Sequence, residues 1–242
     1  MAADTSLVDD PSHIPASQQR IIVITADWNA NQGFLYRYER TGAGEWHAMG
    51  APIAVSIGRK GSAWGTGLHP PQIQEPRKQE GDGRSPAGIF AIGTAFGYAA
   101  SADTAMPYQA MRNTHYCIDV PDSPLYNRIV DADEAGSAAV AGSTEPMRLD
   151  LRRAGDSRYR LGLVIEHNPE RIPGGGSCIF VHLRRHPSET TAGCTSMDET
   201  DMHRLLHWLQ PDAHPQFILL PRPQYDRWRT AWELPELDNG GQ

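Results

Sequence analysis

The apolar residues of this chain fall in short runs broken by turn formers, and that pattern narrows the possible folds more than any other feature. Ile21-Ile22-Val23-Ile24-Thr25, Phe34-Leu35-Tyr36-Arg37-Tyr38-Glu39, Leu161-Gly162-Leu163-Val164-Ile165 and Gln216-Phe217-Ile218-Leu219-Leu220 are too short for typical helices. They are also rich in β-branched and aromatic side chains, so they read as strands. Clusters such as Pro173-Gly174-Gly175-Gly176-Ser177 separate them as turns. With 23 Gly and 19 Pro, the chain favours a β-dominated domain over a helical bundle. The strands at 21–25, 34–39 and 53–57, with Trp46 between, suggest an antiparallel meander.

Helical periodicity is clearest at Met202, Leu205, Leu206 and Leu209, an i, i+3, i+4, i+7 stripe that should face the core before Pro211 ends the helix. His203 and His207 flank that stripe on its wetter side and lack the Glu of a zinc-binding His-Glu-x-x-His pair. Residues 1–19 are polar and aperiodic and read as a loose lead-in, with order beginning at Arg20. Residues 20–220 form one domain, because the strands on both sides of the Ala-, Gly- and Ser-rich connection 132–146 are needed for one core. That connection reads as weakly structured. Residues 221–242, with Trp228 and Trp232, should pack back as a tail containing a short helix.

A net charge of −7 argues against nucleic-acid binding, and no apolar run is long enough to span a membrane. The first residues show no basic and apolar signal-peptide pattern, so export is not legible in the chain. Three cysteines leave two arrangements open: a Cys117–Cys178 disulfide with Cys194 free, or three thiols.

Chemistry concentrates in residues 179–196, IFVHLRRHPSETTAGCTS. His182 stands at or near the exit of the strand 179–181. Ser196-Met197-Asp198-Glu199 has capping-box spacing and should start a helix two residues after Cys194. A thiol just ahead of a helix N-terminus has a lowered pKa. Gly193 lets the backbone turn and approach a substrate, and the N–H groups of Gly193 and Cys194 are candidate oxyanion donors. The set suits acyl transfer through a thioester, with Cys194 as nucleophile and His182 as base and then acid. The same residues also fit a small buried thiol and a core histidine.

His182 followed by Thr191-Ala192-Gly193-Cys194 resembles the His … Ser/Thr-x-Gly-Cys signature of the YkuD-type L,D-transpeptidase catalytic domain. Upstream, Ser85-Pro86-Ala87-Gly88-Ile89-Phe90 is similar to that family's Thr-Pro-x-Gly-x-Phe segment, and the matches come in the family's order. Leu183 stands where the family commonly has Gly, and Thr195-Ser196 where it has an aliphatic-Arg pair. The resemblance implies a mainly β fold, a single YkuD-like β-sandwich or mixed-sheet domain with a few short helices and long loops. It implies an extracytoplasmic monomer without a cofactor that acts on peptidoglycan stem peptides. Cys194 would attack the carbonyl of an L-residue that precedes a D-residue and pass the acyl group to an amine; with water as acceptor the same site would be a carboxypeptidase or amidase. The carbonyl of Leu183 would orient His182, and carbapenems would acylate Cys194.

By the same resemblance Tyr116, Asn127 and Asp131 would line the groove, with Thr191 and Thr195 beside the nucleophile. Arg184 and Arg185 suit a stem carboxylate, and His167 could neighbour His182, although a structural hydrogen bond is the commoner fate of such a residue. The long segment 58–86 lacks the Gly-Lys-Ser/Thr ending of a phosphate loop. It reads either as a flap or rim that offers Trp64 and His69, or as a solvated loop. Two other classes stand beside the transferase: a metal hydrolase using Cys194, His182 and His186, and a non-catalytic wall-binding module.

Overall fold

The computed structural model describes residues 14–237. The expected loose lead-in therefore lies mostly outside the described residues, as does the end of the tail. Residues 14–19 are not loose: Ser17 and Gln19 are buried. The Gln19 amide donates to the Trp208 carbonyl at 3.0 Å and accepts from the Gln210 N–H at 2.8 Å, which draws the strand start forward to Gln19.

Five strands lead off: β1 (Gln19–Thr25), β2 (Gln32–Glu39), β3 (His47–Ala48), β4 (Ile53–Ser56) and β5 (Ser62–Trp64). The long β6 (Ser85–Gly97) runs straight through the Pro-x-Gly-x-Phe segment. After it come β7 (Tyr108–Ala110), β8 (His115–Cys117), β9 (Ile129–Asp131), α1 (Ala132–Ala135), β10 (Glu145–Pro146) and α2 (Leu149–Arg152). The chain then forms β11 (Leu161–Ile165), β12 (Phe180–Leu183), β13 (Thr195–Met197), α3 (Glu199–Trp208), β14 (Gln216–Pro221) and α4 (Arg222–Trp228).

The protein is mainly β, but the expected sandwich is replaced by a closed barrel of eight strands, in the order β1-β14-β6-β11-β12-β13-β4-β2 and back to β1. Closure follows from β1, which pairs parallel to β14 on one side and antiparallel to β2 on the other, leaving it no free edge. The expected antiparallel run of β1, β2 and β4 is present, but it does not continue around the ring. The β1–β14 and β12–β13 pairs are parallel, and parallel neighbours need a crossover connection. Strand β1 is buried along nearly its whole length, which fits its unbroken apolar run. Helix α4 lies on β1 and β14, and Trp228 stacks on Trp232 at 5.0 Å, so the tail packs back as expected. Met202, Leu205, Leu206 and Leu209 are all buried, while His203 and His207 face solvent.

Between the antiparallel neighbours β6 and β11 the chain makes an excursion over residues 98–160. It contains a second sheet, ordered β10-β8-β9. The connection 132–146 is more ordered than its composition suggests, because Asp131 caps α1 through the Asp133 N–H at 3.0 Å and β10 pairs with β8. Met111, Cys117, Met147, Leu149 and Tyr159 from this excursion pack on Phe96, Phe180 and Cys194, forming a small core separate from the main one.

A Cys117–Cys178 disulfide fastens the excursion to the segment entering β12, and Cys194 is the free thiol. This bridge spans 61 residues of sequence. Cross-linking a loop of that length is worth about 4 kcal/mol in the chain-entropy account. Thiol counting on denatured, unreduced protein is therefore expected to find one free thiol, and reduction to lower the urea unfolding free energy by about that amount. Three reactive thiols, or unchanged stability on reduction, would contradict the bridge.

Candidate active site

The parallel register of β12 and β13 brings the thiol and imidazole together. Val181 lies opposite Thr195 and His182 opposite Ser196, so one step back along the ladder sets Cys194 beside Phe180. Residues two apart on a strand share a face, which puts His182 on the same side as Phe180. The Phe180 N–H donates to Cys194 Sγ at 3.3 Å. Both Cys194 and His182 line a cavity of about 380 Å³ roofed by the excursion.

The imidazole is oriented by backbone. His182 Nδ1 lies 2.7 Å from the Leu183 carbonyl oxygen, and a carbonyl can only accept, so Nδ1 carries the hydrogen and Nε2 keeps its lone pair. This is the carbonyl that the sequence resemblance implied. Tyr159 stands edge-on to the ring at 5.3 Å.

The loop that carries Cys194 is held from behind. Thr191 Oγ1 donates to the Cys194 carbonyl at 2.6 Å and accepts from the Gly193 N–H at 3.1 Å. Ser85, the first residue of the upstream motif, donates to the same carbonyl at 3.3 Å and accepts from the Gly58 N–H at 2.9 Å. The two motifs are thus joined by one hydroxyl. A Cβ at Gly193 would stand 3.0 Å from the Arg84 carbonyl oxygen, a tight contact that the backbone at Arg84 would have to relax to accept. The Gly193 N–H is engaged by Thr191, so of the two expected oxyanion donors only the Cys194 N–H lacks a hydrogen bond among the described residues.

The electrostatics correct the sequence expectation. Ser196 belongs to β13, and α3 starts only at Glu199 with Asp198 as its N-cap residue, so Cys194 does not sit at a helix N-terminus. The β-ladder claims Ser196 before the capping box can form, and its hydroxyl has no partner among the described residues. Burial, reinforced by the charge of Glu145, pushes the Cys194 thiol up to about 12 despite the Phe180 hydrogen bond, Arg158 and Lys78. Burial also lowers His182 to about 4, against the Leu183 hydrogen bond. The resting pair is therefore a neutral thiol and a neutral imidazole. The S–H points to the Cys178 carbonyl at 3.5 Å rather than to the ring.

The other candidate residues divide clearly. Arg184 is held by Asp198 through two bonds of 2.9 Å, and Arg185 by Glu189 at 2.5 Å; neither lines the cavity. Thr195 is buried within β13, and Tyr116 contacts Arg152 on the small sheet. Asn127, in a left-handed conformation, donates to the carbonyls of His167 and Asn168 at 2.7 and 3.1 Å and accepts from the Cys178 N–H at 2.9 Å. It clamps the excursion to the loop ahead of β12. His167 bonds the Gly175 carbonyl at 3.0 Å, the structural fate considered in the sequence. Thr191 alone among the proposed substrate-contacting residues lines the cavity.

The segment 58–86 forms part of the rim through Lys78, Glu80 and Gly81. Trp64 and His69 are instead buried against Trp232 and Phe90, so they are neither flap contacts nor solvated. His186 is exposed and bonded to Ser188 at 2.8 Å, away from the cavity, and no group of His, Cys, Asp or Glu among the described residues is placed to hold a metal ion.

Sequence reasoning missed Glu145, Tyr159, Arg153, Arg158 and Lys78, all of which line the cavity. Arg158 is paired with Asp156 at 2.7 Å and Lys78 with Asp82 at 2.6 Å, whereas the Arg153 side chain makes no hydrogen bond or salt bridge among the described residues and acts on Glu145 only through its charge. A larger apolar cleft of about 670 Å³, between Pro15, Leu68, Met106 and Pro215, has His214 as the one titratable side chain in its lining. The chain matches no known family model, and no curated protein matches it.

Alkylation of Cys194 by iodoacetamide, read by mass spectrometry, is expected to be slow at neutral pH and still accelerating at a pH of roughly 10, because the reactive thiolate forms only as pH approaches the raised pKa. A rate that levels off below a pH of about 7 would restore the low-pKa thiolate and contradict the neutral pair.

Proposed function

We propose that this chain is a cysteine acyltransferase acting on peptidoglycan stem peptides, working as the L,D-transpeptidases that it resembles. The observation that carries the proposal is one cavity holding a free thiol and an imidazole whose Nδ1 is committed to the Leu183 carbonyl, so that Nε2 is the available base. A substrate carbonyl in that cavity meets the Cys194 thiol. Nε2 takes the thiol proton as sulfur attacks, so the charged pair forms only during reaction, and a base of low pKa then returns the proton readily to the leaving amine. The Cys194 N–H stabilises the developing oxyanion. Arg153 on the rim, whose side chain makes no salt bridge among the described residues, suits a carboxylate of the stem peptide.

The structural disulfide fits an oxidising compartment, which supports a site of action outside the cytoplasm. Hydrolysis of the same thioester would make the protein an L,D-carboxypeptidase or amidase.

Intact-protein mass spectrometry tests the proposal. A D-alanine-terminated stem tetrapeptide, and separately a carbapenem, are expected to leave an acyl adduct on the peptide containing Cys194. None should form in Cys194→Ala, and His182→Ala should slow its formation by at least about two orders of magnitude. Failure of both compounds to modify the wild type, or equal labelling of Cys194→Ala, would reject the assignment.

A further inference from the structure

One carboxyl in the cavity has no task in the chemistry above. Glu145 extends from β10, and its Oε1 accepts from the Tyr159 hydroxyl at 2.5 Å. Tyr159 in turn packs edge-on against His182 at 5.3 Å and Phe180 at 5.5 Å. Carboxyl, phenol, imidazole and thiol therefore line one cavity. Oε2 of Glu145 makes no hydrogen bond among the described residues.

The groups facing this carboxyl come from every neighbouring element. Asp119 follows β8, Arg153 and Arg158 precede β11, and Cys194 precedes β13, while Lys78 and Glu80 line the same cavity. Desolvation is the largest influence on Glu145, and with Asp119 it outweighs the Tyr159 hydrogen bond and the two arginines, raising the carboxyl to about 7. Such a group exchanges its proton near neutral pH, where an ordinary surface glutamate does not.

A proton count shows where that matters. When a thioester reacts with an ammonium ion, a C–N bond forms, the C–S bond breaks with its electron pair going to sulfur, and the products are an amide, a thiol and one proton. The nitrogen must lose two protons, one to expose its lone pair and one from the tetrahedral intermediate. Neutral His182 can accept one and pass it to the departing thiolate. The other proton has no acceptor in the Cys194–His182 pair. Water, which arrives with its lone pairs exposed, needs only the single base.

Resting on the acyl-transfer proposal and extending it, we infer that Glu145 is a further catalytic residue, the base that strips the first proton from a cationic acceptor amine. The site is thereby arranged for transfer to an amine in preference to water. Tyr159 positions the carboxyl, and the cavity mouth lets the proton escape to solvent before the next turnover.

The test compares two amines at saturation on wild type and Glu145→Gln, each first acylated with the D-alanine-terminated tetrapeptide. Glycine is cationic at neutral pH, whereas hydroxylamine is already uncharged and needs no first base. In Glu145→Gln the rate of transfer to glycine relative to hydroxylamine should fall at least about tenfold. In the wild type the same ratio should rise with pH and level off as Glu145 ionises near 7, rather than climb to the pKa of the amine itself. That profile needs no variant and stands if Glu145→Gln fails to fold. A ratio equal in the two proteins, or a wild-type ratio that keeps climbing, would overturn the role of Glu145 alone. Absence of any acyl-enzyme on Cys194 would overturn the underlying acyl-transfer proposal and this inference with it.

Discussion

The parallel ladder between β12 and β13 is the contact on which the rest depends. It closes the ring between β11 and β4, and its register places Cys194 beside Phe180, on the face that carries His182. A slip of one residue would turn every side chain on the strand to the opposite face and separate thiol from imidazole. The ladder is short, and the structure reinforces it from outside. Ser85 and Thr191 hold the Cys194 carbonyl, while the disulfide and Asn127 tie the excursion to Cys178 just ahead of β12.

Burial sets the chemistry of the pair. In water a thiol already holds its proton about two pKa units more tightly than an imidazole, and desolvation moves them further apart, penalising thiolate and imidazolium alike. The free protein therefore stores no ion pair beside its disulfide. On the acyl-transfer proposal, charge separation would wait for a substrate that brings an oxyanion to stabilise, and the energetic advantage of the site would appear in the transition state. A buried neutral thiol is also a poor target for oxidants, which act on exposed thiolates.

Much of this was legible in the sequence. The runs that became β1, β11, β12 and β14, and the Met202 to Leu209 stripe, announce themselves by composition and period. Cys194 and His182 stand out because few residue types can act as nucleophile and base. Barrel closure is not local: nothing in residues 19–25 says that this strand will pair with both β2 and the distant β14. Ser196 misled because the capping-box spacing is real, but the β-ladder competes for the same residue and wins. Glu145 was hidden in an Ala-, Gly- and Ser-rich stretch, where nothing signals that β10 will be laid against β8 and deliver a carboxyl to the cavity. Arg184 and Arg185 drew attention by their place in the sequence, yet Asp198 and Glu189 hold their side chains.

The resting site holds a neutral imidazole with its hydrogen on Nδ1, in the same cavity as a neutral thiol. Nitrogen-15 NMR of histidine-labelled protein measures this directly, because protonated and unprotonated ring nitrogens differ strongly in chemical shift. Across the range from about pH 6 to about pH 9, His182 should show a protonated Nδ1 and an unprotonated Nε2, with no change of tautomer and no imidazolium. Two protonated nitrogens at neutral pH, reverting to one in Cys194→Ala, would reveal a preformed thiolate–imidazolium pair and contradict the account.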